Sequence, residues 1–349
     1  MQGRASLGYL GARGAQWGGS ERKYDAHLGS TGTEEESDGL AGKSMAKLGK
    51  KYLLLSAAVG WQSAGFLPII RAMRFGFSTF FFFDLSIASA IERLISGGIK
   101  VVEFVYEGPH AAQTDDALIE RMKDLVRDGI EFSVHAPFLE MNLGSYFEEV
   151  RELSKERVKA AVRIASLIKG DPVVVHPGYA LMKEKLKVTD EVAKANFLED
   201  LNDIVRFAMG LGVRVALENA QMPFFFFCDL KEFPLLYSLV PRLGATLDIG
   251  HAYLAKRQLE EKDPEGAILE DVGRLEVEHL LHVHLHNNWG KKDDHGFLEG
   301  TIDMGRILKG LYTKGYRGKV IIETPDIAEC GLQSVLDKLR SISPTGSIA

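Results

Sequence analysis

From Met73 onward the sequence predicts a closed (β/α)8 barrel of the α/β class, and three observations carry that expectation. Eight short runs rich in β-branched and aromatic residues recur along the chain, as strands do. Between most of them lie segments with apolar residues at three- and four-residue spacing, the stripe of a helix that covers a sheet. No G-x-G-x-x-G follows the first run, so the fingerprint of a doubly wound nucleotide-binding sheet is missing.

The strand-like runs are 74–82 (RFGFSTFFF), 100–105 (KVVEFV), 130–135 (IEFSVH), 172–176 (PVVVH), 213–218 (VRVALE), 244–248 (GATLD), 281–286 (LHVHLH) and 318–323 (GKVIIE). Amphipathic helices are expected over 87–96, 115–128, 147–168, 190–210, 230–239, 302–313 and 330–342. Eight such units within 73–349 fit one barrel domain. The seventh run alternates Val283 and Leu285 with His282, His284 and His286, so a period of two places the histidines on one face of a strand. That face does not read as a core face. The run continues through a tight Trp289-Gly290 turn into Asp293, Asp294 and His295.

Residues 1–72 differ in kind. The first 51 are rich in Gly and Ser, carry a Glu34-Glu35-Glu36 run and show little apolar periodicity, so a disordered segment is expected. Nineteen uncharged residues at 52–70 (YLLLSAAVGWQSAGFLPII) follow Lys43, Lys47, Lys50 and Lys51 and are long enough to span a membrane. Gln62, Ser63, Gly65 and Pro68, and the depth of the run in the chain, argue against an anchor or signal peptide. The preferred expectation is a native start at Met73 with an over-long reading frame upstream. No stable membrane partner is expected.

The 349 residues are 46% hydrophobic and 26% charged, a globular composition. A net charge of −6 gives no general attraction for nucleic acid, so a polyanion would need local cations or metals. Only Cys228 and Cys330 are present, in no C-x-x-C pattern, so neither a disulfide framework nor a thiolate zinc site is indicated, and a reducing cytoplasm fits.

A barrel of this kind carries its active site at the C-terminal ends of its strands. Those ends supply Glu103, His135, His176, Glu218, Asp248 with His251 a turn later, His284 and Glu323, while Asp293 and His295 follow the seventh strand. No comparable set of Lys or Arg balances the carboxylates, which would otherwise raise one another's pKa. Divalent metal is the simplest counter-charge, and imidazole with carboxylate is a donor set that zinc accepts. Lys291 and Lys292 lie close enough to the ligand loop to be candidate phosphate contacts.

The motifs VHAPFLEMNL (134–143), VVVHPG (173–178), LEN (217–219), LDIGHAY (247–253), VHLHNN (283–288), DDH (293–295) and IIETP (321–325) resemble the xylose-isomerase-like barrel superfamily, AP endonuclease family 2, and within it endonuclease IV. The resemblance implies up to three zinc ions. It assigns His135, His176 and Glu218 to the first, a bridging Glu218 with Asp248, His284 and Glu323 to the second, and His251, Asp293 and His295 to the third. The implied activity is hydrolysis of a phosphodiester at an abasic site in DNA, with metal ions on the attacking and leaving oxygens. The alternative is a sugar or sugar-phosphate isomerase or epimerase of the same superfamily, which keeps only the second set and loads Mn or Mg as readily as Zn. There Glu218 and Glu323 would also carry protons.

The chain departs from both patterns. The loop from His284 to Asp293 is shorter than in the endonuclease, and Glu103 would repel phosphates unless it faces a cation or sugar hydroxyls. On the isomerase side, the arginine expected after the strand-seven histidine is replaced by Lys291 and Lys292 further on. The four phenylalanines at 80–83 are expected in the core, and Phe224 to Phe227 as a hydrophobic lid or dimer contact rather than a stacking platform.

Overall fold

The computed structural model of the chain describes residues 72–180, 187–222 and 224–346. The expectations for 1–71, including the apolar run and the start at Met73 rather than upstream, lie outside the described residues. Within them, no helix is long and apolar enough to cross a membrane.

Eight parallel strands close on themselves in sequence order. They are β1 (Arg74–Ser78), β2 (Val101–Val105), β3 (Glu131–His135), β4 (Val173–Val175), β5 (Val215–Glu218), β6 (Gly244–Asp248), β7 (Leu280–Leu285) and β8 (Lys319–Ile322). The helices are α1 (Ile87–Ser96), α2 (Gly108–Ala112), α3 (Asp116–Arg127), α4 (Glu148–Ile168), α5 (Lys187–Gly210), α6 (Phe233–Leu239), α7 (Ile249–Gln258), α8 (Pro264–Arg274), α9 (Met304–Lys314), α10 (Asp326–Cys330) and α11 (Leu332–Ile342). Registers such as Glu103 opposite Ser133, Asp248 opposite His284, and His284 opposite Ile321 bring distant residues to one level. The continuously buried strands β2, β5 and β6 are the hydrophobic runs that a parallel sheet covered on both faces requires.

Three sequence expectations change. The first strand ends at Ser78, not at residue 82, because its pairing with β2 stops at Ser78 opposite Glu103; Phe80 to Phe82 then form a 3-10 turn begun by a bond from the Phe80 amide to Ser78 Oγ at 3.2 Å. The helix expected at 330–342 is split at Gly331, whose φ of +83° a side chain would resist. Two helices, α7 and α8, lie between β6 and β7 where none was expected; α7 gives no amphipathic signal because Ile249 to Leu254 are buried on every side.

Capping fixes the ends that matter. Asp248, the last residue of β6, is also the N-cap of α7, its Oδ1 accepting from the His251 amide at 2.6 Å. Strand end and helix start are therefore one residue apart, which holds Asp248 and His251 on the same rim.

Candidate metal centre

At that rim lies a cavity of about 360 Å³. Its floor is polar: His135, His176, Glu218, His251, Asp293 and Glu323 face it. Phe80, Phe81, Phe138 and Phe225 wall it. Among the described residues no Lys or Arg lines it.

Glu218, at the end of β5, is the hub. Its Oε2 lies 3.4 Å from His135 Nε2, 3.3 Å from His176 Nε2 and 3.2 Å from His284 Nδ1, yet it is buried without a hydrogen-bond partner. His135 gives its Nδ1 proton to the Ala136 carbonyl at 2.9 Å, so its Nε2 is the nitrogen that faces the carboxylate. Three imidazole nitrogens turned on one oxygen with no hydrogen bond are an arrangement that a cation between them would resolve. Burial opposes charge on Glu218, but the imidazoles of His176 and His284 hold its carboxyl well below the usual range. Burial likewise opposes charge on His284, while Glu323, Glu103 and Glu218 together hold it well above an ordinary histidine. The donors thus fit a divalent ion, and Glu218, Asp248 and His284 converge tightly enough to share one. Glu323 stands beside them, with Oε2 3.7 Å from His284 Nδ1.

Other predicted residues fall into two further groups. His135, His176 and Glu218 form one. His251, Asp293 and His295 form the other, joined by His286, which the ligand assignment had omitted. His251 Nε2 and His295 Nε2 lie 3.0 and 3.1 Å from Asp293 Oδ2. Asp293 is pulled below the usual carboxylate range, burial being outweighed by His251 and His295. His295 has a left-handed φ of +48°, uncommon outside glycine and costly unless its surroundings enforce it.

Three candidates sit elsewhere than the rim reading placed them. The histidine face of β7 is fully buried inside the barrel, His282, His284 and His286 each being 0% exposed. Glu103 lies there too, under the cavity rather than on its lining, accepting from His282 Nε2 at 2.8 Å and Ser133 Oγ at 3.1 Å. Its Oε1 is 3.1 Å from His284 Nε2. Burial drives His282 down to about 4, so it serves Glu103 as a neutral donor. Lys291 and Lys292 are exposed and do not line this cavity; Lys292 pairs with Asp294 at 2.9 Å.

The phenylalanine runs divide differently from the sequence reading. Phe82 is core, but Phe80 and Phe81 line the cavity and meet His295 at centroid distances of 6.1 and 5.3 Å. Phe226 and Phe227 are buried against Phe197, and Phe225 alone of 225–227 lines the cavity. Sequence reasoning also missed Phe138, whose ring stacks on His176 at 4.4 Å, and Asn219, which exchanges two hydrogen bonds with the Asp248 backbone at 2.9 and 3.0 Å. Asn219 stood in the LEN motif, but nothing local in the sequence points to a partner 29 residues away.

Residues 91–342 match the family model described as xylose isomerase-like TIM barrel. The chain is 32% identical over 272 residues to the uncharacterized protein MJ1311 of Methanocaldococcus jannaschii, covering 74% of this chain and 85% of that one. It resembles the crystal structure of a D-tagatose 3-epimerase-like protein with a TM-score of 0.62 at 29% identity, over 76% of this chain and 100% of that one. The TTHB071 protein of Thermus thermophilus, in a structure soaked with ZnCl2, gives a TM-score of 0.54 at 25% identity, over 76% and 97%.

Proposed function

The chain belongs to the xylose isomerase-like TIM barrel family, and on that premise we propose that it is a metal-dependent isomerase or epimerase acting on a neutral, unphosphorylated ketose. The observation that carries this reading is the cavity itself: carboxylates and imidazoles below, four phenylalanines around, and no Lys or Arg among its described lining residues. A phosphate would meet no Lys or Arg there. A sugar ring offers C–H faces to aromatic walls and hydroxyls to a polar floor. The likeness to a D-tagatose 3-epimerase-like protein at 29% identity supports the same class.

Glu218, Asp248, His284 and Glu323 would hold the ion. When bound, it polarises a neighbouring carbonyl and hydroxyl and so acidifies the carbon between them. Glu218 and Glu323 both line the cavity, and the reaction uses them as a pair. One carboxylate takes the proton from the carbon beside the carbonyl; the other, protonated, returns one to the opposite face or to the neighbouring carbon. Phe80, Phe81 and Phe138 exclude water during the transfer.

Phosphodiester hydrolysis retains one specific observation, the surplus of His and Asp donors beyond this set. The two readings separate in a single assay. Full-length protein loaded with Mn or Zn is incubated in D2O with free ketohexoses and ketopentoses, with their phosphates, and with a duplex bearing an abasic site. Deuterium entering beside the carbonyl of a neutral ketose is the expected result. A nicked duplex with no exchange in any sugar would overturn the proposal.

A further inference from the structure

The barrel segregates its cations between its two ends. The cavity at the C-terminal ends of the strands has no Lys or Arg among its described lining residues, whereas three arginines line a second cavity, of about 250 Å³, at the opposite end. Arg74 opens β1, Arg214 directly precedes β5, and Arg317 lies in the turn between α9 and β8. Strands β1 and β5 stand on opposite sides of the barrel, so the three guanidiniums converge across its mouth. Leu280, Leu281 and Tyr316 form the apolar part of the lining, and Glu278 is its one carboxylate among the described residues.

Each guanidinium is fixed by partners of its own and keeps N–H groups for another. Arg74 Nη1 pairs with Glu131, while its Nε is buried with no hydrogen-bond partner. Arg214 Nε meets the two oxygens of Asp171 at 3.0 and 3.2 Å and Nη2 bonds the same carboxylate, so Nη1 is the nitrogen left over. Arg317 lies over the Tyr312 ring at 3.8 Å and gives Nη1 to the carbonyls of Tyr312 and Tyr316 at 2.8 and 2.7 Å, which leaves Nε and Nη2 for another acceptor. The corner that carries it is well fixed: the Tyr316 hydroxyl donates to the Lys319 carbonyl at 2.6 Å, in space that a Cβ on Gly318 would occupy.

The charges at this end do not cancel. Arg74, Arg214, Arg317 and Lys319 stand against Glu131, Asp171 and Glu278, an excess of positive charge in a chain of net charge −6. Burial lowers the Lys319 pKa, and Arg74 and Arg214 push the same way while Glu131 and Asp171 oppose them. An anion among the guanidiniums would relieve both the repulsion and the unpaired N–H groups.

We propose that this cavity is a binding site for a phosphate group, distinct from the cavity that holds the metal ligands and independent of the reaction run there. A phosphate dianion offers enough acceptor oxygens to meet several guanidinium forks at once, where a lone carboxylate offers two. The cavity, 250 Å³ against 360 Å³ for the catalytic one, also leaves room beside Leu280 and Leu281 for a small organic body on the phosphate. Free phosphate and a small phosphomonoester share this chemistry.

Full-length protein is titrated by calorimetry with inorganic phosphate, with glycerol 3-phosphate and with citrate, against chloride at equal ionic strength. One phosphate or monoester per chain should bind. Arg317→Ala removes a guanidinium that holds no other side chain's charge, and should weaken binding at least tenfold. Arg317→Lys should recover only part of it, because an ammonium lacks the fork. Glu278→Gln, at an exposed position, should tighten binding severalfold and serves if Arg317→Ala does not fold. Tighter binding of glycerol 3-phosphate than of phosphate identifies a monoester as the occupant, and the reverse order identifies the free ion. No heat beyond the chloride control, citrate bound as tightly as phosphate, or unchanged affinity in both Arg317→Ala and Glu278→Gln would overturn the proposal. The last result would place the phosphate at the other end of the barrel.

Discussion

Two glycines in helices should respond to the same substitution with opposite signs. An alanine at Gly250 places its Cβ 1.9 Å from His286 Cε1 and 2.4 Å from Nδ1. The ring must withdraw by about 1.5 Å to reach ordinary contact at 3.4 Å. It has nowhere to go: it is fully buried, held by Asp248 at 3.0 and 3.2 Å, and stacked on His295 at a centroid distance of 4.0 Å. Losing a hydrogen bond to a charged group costs about 1.5–3 kcal/mol, and overpacking a core a further 1–3 kcal/mol. Against this, Gly→Ala gains at most about 1 kcal/mol of helix propensity. Gly250→Ala is therefore expected to lose roughly 3 kcal/mol, a large share of a typical domain's 5–15 kcal/mol. Gly273 in α8 has nothing within 4 Å of a Cβ, so Gly273→Ala should be neutral or gain about 0.5 kcal/mol. Urea midpoints of the two variants beside the wild type decide it. Equal midpoints for Gly250→Ala and the wild type would refute the packing of His286 against α7.

Lys319 gives a pH signature: its Nζ reaches the carbonyls of Phe132 at 2.7 Å and Asp171 at 2.5 Å, and burial pushes its pKa down from 10.5 to about 8. Below pH 8 both states hold the proton and the native state carries the full burial cost. Between about 8 and 10.5 the unfolded chain binds more protons, so stability should rise with pH by roughly 3 kcal/mol. Lys319→Met should lack that rise when urea midpoints are followed from pH 7 to 11, and an identical profile would count against a buried ammonium. Asn219→Ala strips the buried Asp248 amide and carbonyl of their partners, and should lower thermal stability by about 2–4 kcal/mol; a change under 0.5 kcal/mol would mean that water replaces the amide. Lys291→Ala and Lys292→Ala, exposed and outside the cavity lining, should leave kcat and KM within about twofold of wild type, whereas a large rise in KM for either would restore a substrate contact.

The barrel was legible because strand runs and helical stripes are local signals, and the rim followed because the fold puts strand ends there. Glu218, Asp248, His284 and Glu323 could be named from strand boundaries alone. What escaped depends on partners far away in sequence. Phe80 and Phe81 carry the same hydrophobicity whether they continue a strand or wall a cavity, and only the end of pairing at Ser78 turns them outward. Helix α7 has no stripe because its first turns are buried all round. Glu103 stands on β2, where alternation says inward but not how deep, and its burial under His282 and His284 follows from closure of the barrel, which brings residues 179 apart in sequence together across its interior.

Asp248 shows why the rim acts as a unit rather than as a set of separable ligands. One oxygen, Oδ1, accepts from the His251 amide and from His286 Nε2, while the same side chain belongs to the group with Glu218 and His284. The first contact starts α7 and so positions His251; the second fixes which nitrogen of His286 is free; the third supplies charge beside Glu218. Burial resists ionising Asp248, but His251 and His286 keep its carboxyl below the usual range. A change in charge at either donor group is therefore felt through one carboxylate by the other, so ions held at both would have coupled affinities. The coupling is reciprocal: if an ion at the His286 group withdraws electron density from Asp248, then an ion beside Glu218 weakens the His286 group by the same factor. Zinc titrated into protein already holding manganese should thus bind His286 less tightly than in metal-free protein, and independent sites would give identical isotherms.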